Sequence, residues 1–136
     1  MNDQELWTRF ESHALGASEW THHTHVRTAF LCLQRWGLDE AHLRMRAGII
    51  RLNERHGLVE SPARGYFETL TRVWLVLVAD ARRRTGARDS TALLALAPEL
   101  LDRTLPSRFY SKALLATPRA RAIFLPPDLA PLPIVE

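Results

Sequence analysis

The sequence predicts an all-α fold: a single-domain helical bundle followed by a proline-rich, extended C-terminal strap. Apolar residues recur at helical spacing between prolines and glycines, and no segment keeps the strict alternation of an amphipathic strand. The chain has 136 residues, of which 46% are hydrophobic, which is enough for one core. Its longest apolar run, 73–79, is too short to cross a membrane.

The first two helices carry the apolar residues of the N-terminal third of the chain. One is predicted over 3–14, with an apolar face built from aromatic and leucine side chains. The next is predicted to start from an N-cap at Ser18 or Thr21 and to run to Trp36, because Ser and Thr accept hydrogen bonds from the first free amides. Gly37 is predicted to end it.

The third and fourth helices are predicted to be the longest. The third has Asp39 as its predicted N-cap and ends at Gly57. The fourth is predicted to start near Pro62 or Gly65 and to end before Gly86. Because it contains the run 73–79, it is apolar on every face and is expected to lie at the centre of the domain.

The C-terminal third is predicted to hold short helices and then no helix at all. The short helices are predicted at 90–97, 98–103, 109–116 and 118–124. The helical domain is placed at 1–125 and the strap at 126–136, since four prolines within 126–136 preclude a helix. Leu129, Leu132, Ile134 and Val135 are too apolar for a solvated tail, so the strap is expected to pack on its own domain or on a partner subunit.

Composition also restricts the class of protein. A single cysteine excludes an internal disulfide and a multi-cysteine zinc site. The acidic N-terminus lacks the apolar segment of a secretory signal, so a cytoplasmic protein without a membrane partner is expected. The net charge is only +3, and the dense basic run Arg82–Arg84, with Arg88, falls near a helix end. A solvated helix end is the favoured interpretation, and a phosphate-binding or nucleic-acid-binding patch is the alternative.

The second helix contains the most informative pattern. His22 and His25 lie at i and i+3 on or beside its apolar stripe, so both imidazoles are expected to point inward. Cβ atoms at this spacing are about 5–6 Å apart, which lets two rings reach one divalent ion such as Zn, Fe or Mn. Glu19 and His22 match half of a carboxylate-bridged di-iron pattern, but the chain lacks the other half. A mononuclear site is therefore the expectation if a metal is bound.

Further polar residues on the neighbouring helices could complete such a site. His42, His56, Asn53 and Glu68 are the candidates for a third ligand. Glu68 also precedes Arg72 by four residues, so an ordinary helical ion pair is its alternative role. The alternatives for the inward histidines are a polar core network and a pocket for an organic ligand. Trp20, just before the second helix, is expected to act as a hydrophobic staple or as a pocket wall.

The ordered motifs resemble those of an uncharacterised family of small bacterial helical proteins. The segment 20–29, WTHHTHVRTA, resembles its opening motif W-T-H-x-x-H-L-R-x-A, and the segment 66–71, YFETLT, resembles its Y-H-E-T-x-T. Tyr110-Ser111, Ala120-Arg121 and Pro127-Asp128-Leu129 match its later motifs, so the resemblance covers residues 15–133. It implies a helical fold and a shared site of unknown reaction at His22, His25, Glu68, Tyr110, Arg121 and Asp128. Phe67 replaces the family's histidine, so a diverged, non-catalytic member is an alternative.

The leading hypothesis is an interior, histidine-lined pocket that binds a divalent metal or a small organic ligand. As an enzyme, the protein would use a metal-bound water or a histidine as general base. The candidate residues are His22, His25, Glu68 and Tyr110 for catalysis, Trp20, Asn53 and Arg121 for cofactor binding, and His22, His25, His56 and Glu68 for metal. The alternatives are a non-enzymatic homodimeric interaction protein, suggested by the strap and the four tryptophans, and a nucleic-acid binder acting through Arg82 to Arg88.

Overall fold

The fourth helix is the centre of the fold, as its apolar run predicts. The computed structural model describes residues 1–135 and contains seven α-helices within them. They are α1 (Asp3–Glu11), α2 (His22–Arg35), α3 (Leu38–Arg55), α4 (Glu68–Thr85), α5 (Ser90–Leu96), α6 (Lys112–Leu115) and α7 (Pro118–Ala122). Two short 3₁₀ segments, Pro98–Leu101 and Leu105–Arg108, connect α5 to α6. No β-strand occurs in the described part of the chain, so the all-α prediction is confirmed.

Helix α4 packs against α2, α3, α5 and α7. Val73, Leu75 and Val78 are completely buried, and they place successive turns of α4 in the one hydrophobic core. Burying a side chain of this size stabilises a fold by about 1.5–3 kcal/mol. The helix ends at Gly86, which adopts the left-handed conformation that its predicted stop requires.

Helix α2 begins after Thr21, which is one of its two predicted N-caps. The Thr21 side chain accepts a hydrogen bond from the backbone amide of Thr24, so His22 and His25 lie in the first turn. Helix α1 also packs against α2, and Leu6, Trp7 and Phe10 are its buried residues. These contacts hold the histidine-bearing turn of α2 against the core.

Several predicted boundaries are wrong by a few residues. Helix α1 stops at Glu11 because His13 takes a left-handed conformation, with φ of 58°. Helix α4 begins only at Glu68, since Gly65 has φ of 110°, which a helix cannot continue through. Helix α3 is capped by Gly37 rather than by Asp39, which lies in its first turn.

Residues 126–135 of the strap contain no helix, and they are attached to the body at defined points. The Asp128 carboxylate accepts hydrogen bonds from the backbone amide and the hydroxyl of Ser111, at 2.8 and 2.6 Å. Leu132 packs against the core, whereas Leu129 and Ile134 are 60% and 91% exposed. Leu132 thus packs on the body, and packing of the strap on a partner subunit stays a prediction. No helix in residues 1–135 has the length and apolar character needed to span a membrane.

Candidate functional site

A cavity of about 390 Å³ lies between α2, α3 and α4, and His22 and His25 of the first turn of α2 line it. The other lining residues are mostly apolar or aromatic: Val26, Ala29, Met45, Ile49, Gly65, Tyr66, Phe67, Leu70, Thr71, Trp74, Leu75 and Arg103. We call this cavity the His pocket. Its volume lies in the range of about 300–1,000 Å³ found for small-molecule sites, and a mostly apolar wall with few polar groups is their usual composition.

His22 is held in one orientation and one tautomer. Its Nε2 lies 2.9 Å from the carbonyl oxygen of Leu100, and its ring meets the edge of Trp74 with centroids 4.6 Å apart. A carbonyl only accepts, so Nε2 carries the hydrogen. Burial lowers the pKa of His22 below its ordinary value of 6.5, against the opposing effect of the bond to Leu100. The ring is therefore neutral at pH 7.5, and Nδ1 holds a lone pair.

His25 is the more perturbed of the two imidazoles. Its ring lies against Trp20, with centroids 3.9 Å apart, and Trp20 in turn stacks on Phe10. Burial lowers the pKa of His25 to about 4, with smaller contributions from His22 and Arg103. Trp20 therefore packs against the His25 ring but does not itself line the cavity.

Both histidines keep nitrogen atoms free for a ligand. No residue within 1–135 forms a hydrogen bond to Nδ1 of His22 or to either ring nitrogen of His25. Across the described residues, every fully buried side-chain nitrogen or oxygen has a hydrogen-bond partner. The unbonded nitrogens of His22 and His25 must therefore be accessible from solvent or from the cavity that these residues line.

Glu68 is not part of the His pocket, contrary to expectation. Its carboxylate accepts hydrogen bonds from Arg46, from the Tyr66 hydroxyl at 2.6 Å and from Nε2 of His42 at 2.9 Å. Partial burial alone would raise the pKa of Glu68, but these three donors outweigh burial and hold the pKa below 4.5. The expected helical ion pair with Arg72 is also replaced, since Arg72 pairs with Asp39 at 2.9 Å.

His56 and Asn53 also lie outside the pocket. Nε2 of His56 donates to the carbonyl oxygen of Leu15 at 2.8 Å, so this ring ties the end of α3 to the loop after α1. The Asn53 amide donates to the exposed Glu60 carboxylate at 3.3 Å. Both side chains form hydrogen bonds to loop residues, and neither lines the His pocket.

The C-terminal motif residues hold the fold together. Tyr110 is completely buried and donates to the carbonyl oxygen of Leu125 at 2.6 Å, and burial raises its pKa to about 12. Arg121 donates to the Gly65 carbonyl oxygen at 2.9 Å and lies over the Phe67 ring. A catalytic role for Tyr110 and a direct cofactor-binding role for Arg121 have no support in these contacts.

The donor set of the pocket does not fit a divalent metal. His22 and His25 share the cavity, but His56 and Glu68, their expected co-ligands, lie elsewhere. No group of three His, Cys, Asp or Glu side chains within residues 1–135 is arranged to hold a metal ion. Phe67 lines the cavity, so an apolar ring stands where the family pattern has an imidazole.

Ion pairs partly neutralise the basic run Arg82–Arg84 at the end of α4. Arg83 and Arg84 both pair with Asp80, and Arg82 donates to the carbonyl oxygen of Leu33 at 3.0 Å. These contacts are typical of charged side chains in the last turn of a helix, which is where Arg82–Arg84 lie.

Sequence reasoning missed Arg103, Trp74 and Thr71 as residues of the pocket. Trp74 belongs to the apolar run 73–79, and that run predicts burial but not a pocket. Arg103 follows the first 3₁₀ segment, and no local pattern indicates that this connection returns to the first turn of α2. Comparisons of the chain with protein families, curated proteins and solved structures found no match. The resemblance to the bacterial helical family therefore stays a prediction carried by the motifs alone.

Proposed function

We propose that the protein binds a small, largely apolar organic molecule in the His pocket. The observation that carries this proposal is the placement of two neutral imidazoles, both with accessible nitrogens, in the wall of an apolar cavity of about 390 Å³. An apolar cavity of about 150 Å³ is known to hold benzene, so a compound of two fused rings is a reasonable upper size for the ligand.

The histidines would give the ligand its orientation. Since Nε2 of His22 donates to Leu100, the Nδ1 atom of the neutral ring can only accept. A hydroxyl or N–H on the ligand would supply the matching donor. The Trp74 ring lies against His22 and would contact the flat face or edge of an aromatic ligand.

The test is calorimetric titration with 2-naphthol at pH 7.5, because this neutral two-ring compound has one hydroxyl donor. We expect one molecule bound per chain. Leu70→Trp should abolish binding by filling the pocket, whereas the matched variant Leu43→Trp should not, since Leu43 is 53% exposed and lies outside the pocket. His22→Leu should weaken binding about tenfold, the effect of one hydrogen bond at the upper end of the neutral range.

Two results would overturn the proposal. One is the absence of binding to the wild-type protein. The other is binding that Leu70→Trp leaves unchanged in a variant that circular dichroism shows to be folded. Stoichiometric Zn²⁺ binding that is lost in a His22→Ala/His25→Ala variant would instead favour the metal site expected from the sequence.

A further inference from the structure

Arg103 gives the His pocket a charge that the neutral histidines do not. Its side chain lines the cavity and is exposed to solvent, so the cavity reaches the surface beside a guanidinium group. No carboxylate within residues 1–135 lies in ion-pair distance of Arg103, and none of the described lining residues is Asp or Glu. Arg103 is therefore the one side chain with a full charge among the described lining residues of the pocket.

The neighbouring carboxylate is held in another contact. Asp102 accepts hydrogen bonds from the backbone amide and the hydroxyl of Thr104, at 2.9 and 2.7 Å. These bonds turn Asp102 toward its own loop. The Arg103 guanidinium contributes to lowering the pKa of His22 and of His25, whereas the Asp102 carboxylate contributes to raising the pKa of His22. Arg103, unlike Asp102, lines the cavity that both histidines line.

We infer that the ligand of the His pocket is a small organic acid, whose apolar ring fills the cavity and whose carboxylate binds the Arg103 guanidinium. This inference rests on the proposed function and adds the charge of the ligand to it. Guanidinium groups bind carboxylates through two parallel hydrogen bonds, which makes arginine well suited to this recognition. The largely apolar wall from α2, α3 and α4 disfavours a ligand that is polar throughout, such as a sugar.

The test compares 2-naphthoate with 2-naphthol, two compounds of nearly the same ring volume that differ in charge at pH 7.5. We expect 2-naphthoate to bind the wild-type protein about tenfold more tightly than 2-naphthol. Arg103→Gln should remove this preference, with the affinity for 2-naphthoate falling about tenfold. Arg108→Gln is the matched control, because Arg108 is also exposed and basic but does not line the pocket.

The outcomes separate this inference from the proposed function. Binding of 2-naphthol with no preference for 2-naphthoate, or a preference that Arg103→Gln leaves intact, would overturn the organic-acid inference alone. An equal loss in Arg108→Gln would also overturn it, since a general effect of positive charge would then explain the preference. Failure of both compounds to bind would overturn the proposed function and the inference together.

Discussion

Replacing His25 with leucine should change how the stability of the protein depends on pH. Burial lowers the pKa of His25 from 6.5 to about 4 in the folded state. The unfolded chain therefore binds a proton more readily, so the contribution of His25 to stability is complete above pH 6.5 and is lost as the pH falls toward 4. This difference corresponds to about 3 kcal/mol at full titration. Most of that loss occurs between pH 7.5 and 4.5.

The assay is urea unfolding, followed by circular dichroism, at pH 7.5 and at pH 4.5. We expect His25→Leu to lose about 2 kcal/mol less of its unfolding free energy between these pH values than the wild-type protein. His23→Leu is the control, since His23 is exposed and does not line the pocket. Equal pH dependence in His25→Leu and the wild type, or titration of the His25 ring near 6.5 by NMR, would refute the reasoning.

Three further substitutions test the packing, the polar network and the pocket. Gly48→Ala should lower the free energy of unfolding by about 1–3 kcal/mol, because the added methyl group would overlap the Phe10 ring; chemical denaturation measures it. Glu68→Gln should cost about 2 kcal/mol in the same assay, since it removes the charge that binds Arg46 and orients two further donors. Phe67→His should create a Zn²⁺ site with about one ion per chain, measurable by calorimetry, because the new ring would share the cavity of the two histidines.

Matched variants show what would contradict these predictions. Gly37→Ala should cost less than about 1 kcal/mol, since nothing lies within 4 Å of the added group, and an equal cost at the two glycines would argue against the clash. Glu40→Gln removes an exposed carboxylate of α3 and should cost less than about 1 kcal/mol. Unchanged Zn²⁺ affinity in Phe67→His would show that the new ring does not meet the histidines.

The fold was largely predictable because its elements are local. The cap at Thr21, the stop at Gly86 and the apolar run of α4 each act within a few residues, and each appears where the sequence places it. The prediction errors arise where contacts between distant parts of the chain determine whether a residue is buried. Arg27 is a charged residue of α2 that lies outside the pocket lining. It is nevertheless buried, because the Ser90 hydroxyl of α5 lies 2.8 Å from its Nε.

The candidate site was predictable only along one helix. The spacing of His22 and His25 places them together, and the structure places both in one cavity. Partners from other helices were not predictable, because a residue on an amphipathic helix can lie at either edge of its apolar face. Glu68 thus meets Arg46 and His42 of α3 rather than the imidazoles of α2. Loop residues such as Arg103 have no periodicity from which a position could be inferred.

The most direct test of the central claim is long-range ¹H–¹⁵N NMR of the imidazole rings at pH 7.5, with and without 2-naphthol. We predict that free His22 is the neutral tautomer with its hydrogen on Nε2. We also predict that 2-naphthol shifts the Nδ1 resonance of His22 and leaves the resonances of exposed His23 unchanged. A doubly protonated His22, or resonances of His22 and His25 that 2-naphthol leaves unmoved at saturating concentration, would contradict the claim that these neutral imidazoles receive a small organic ligand.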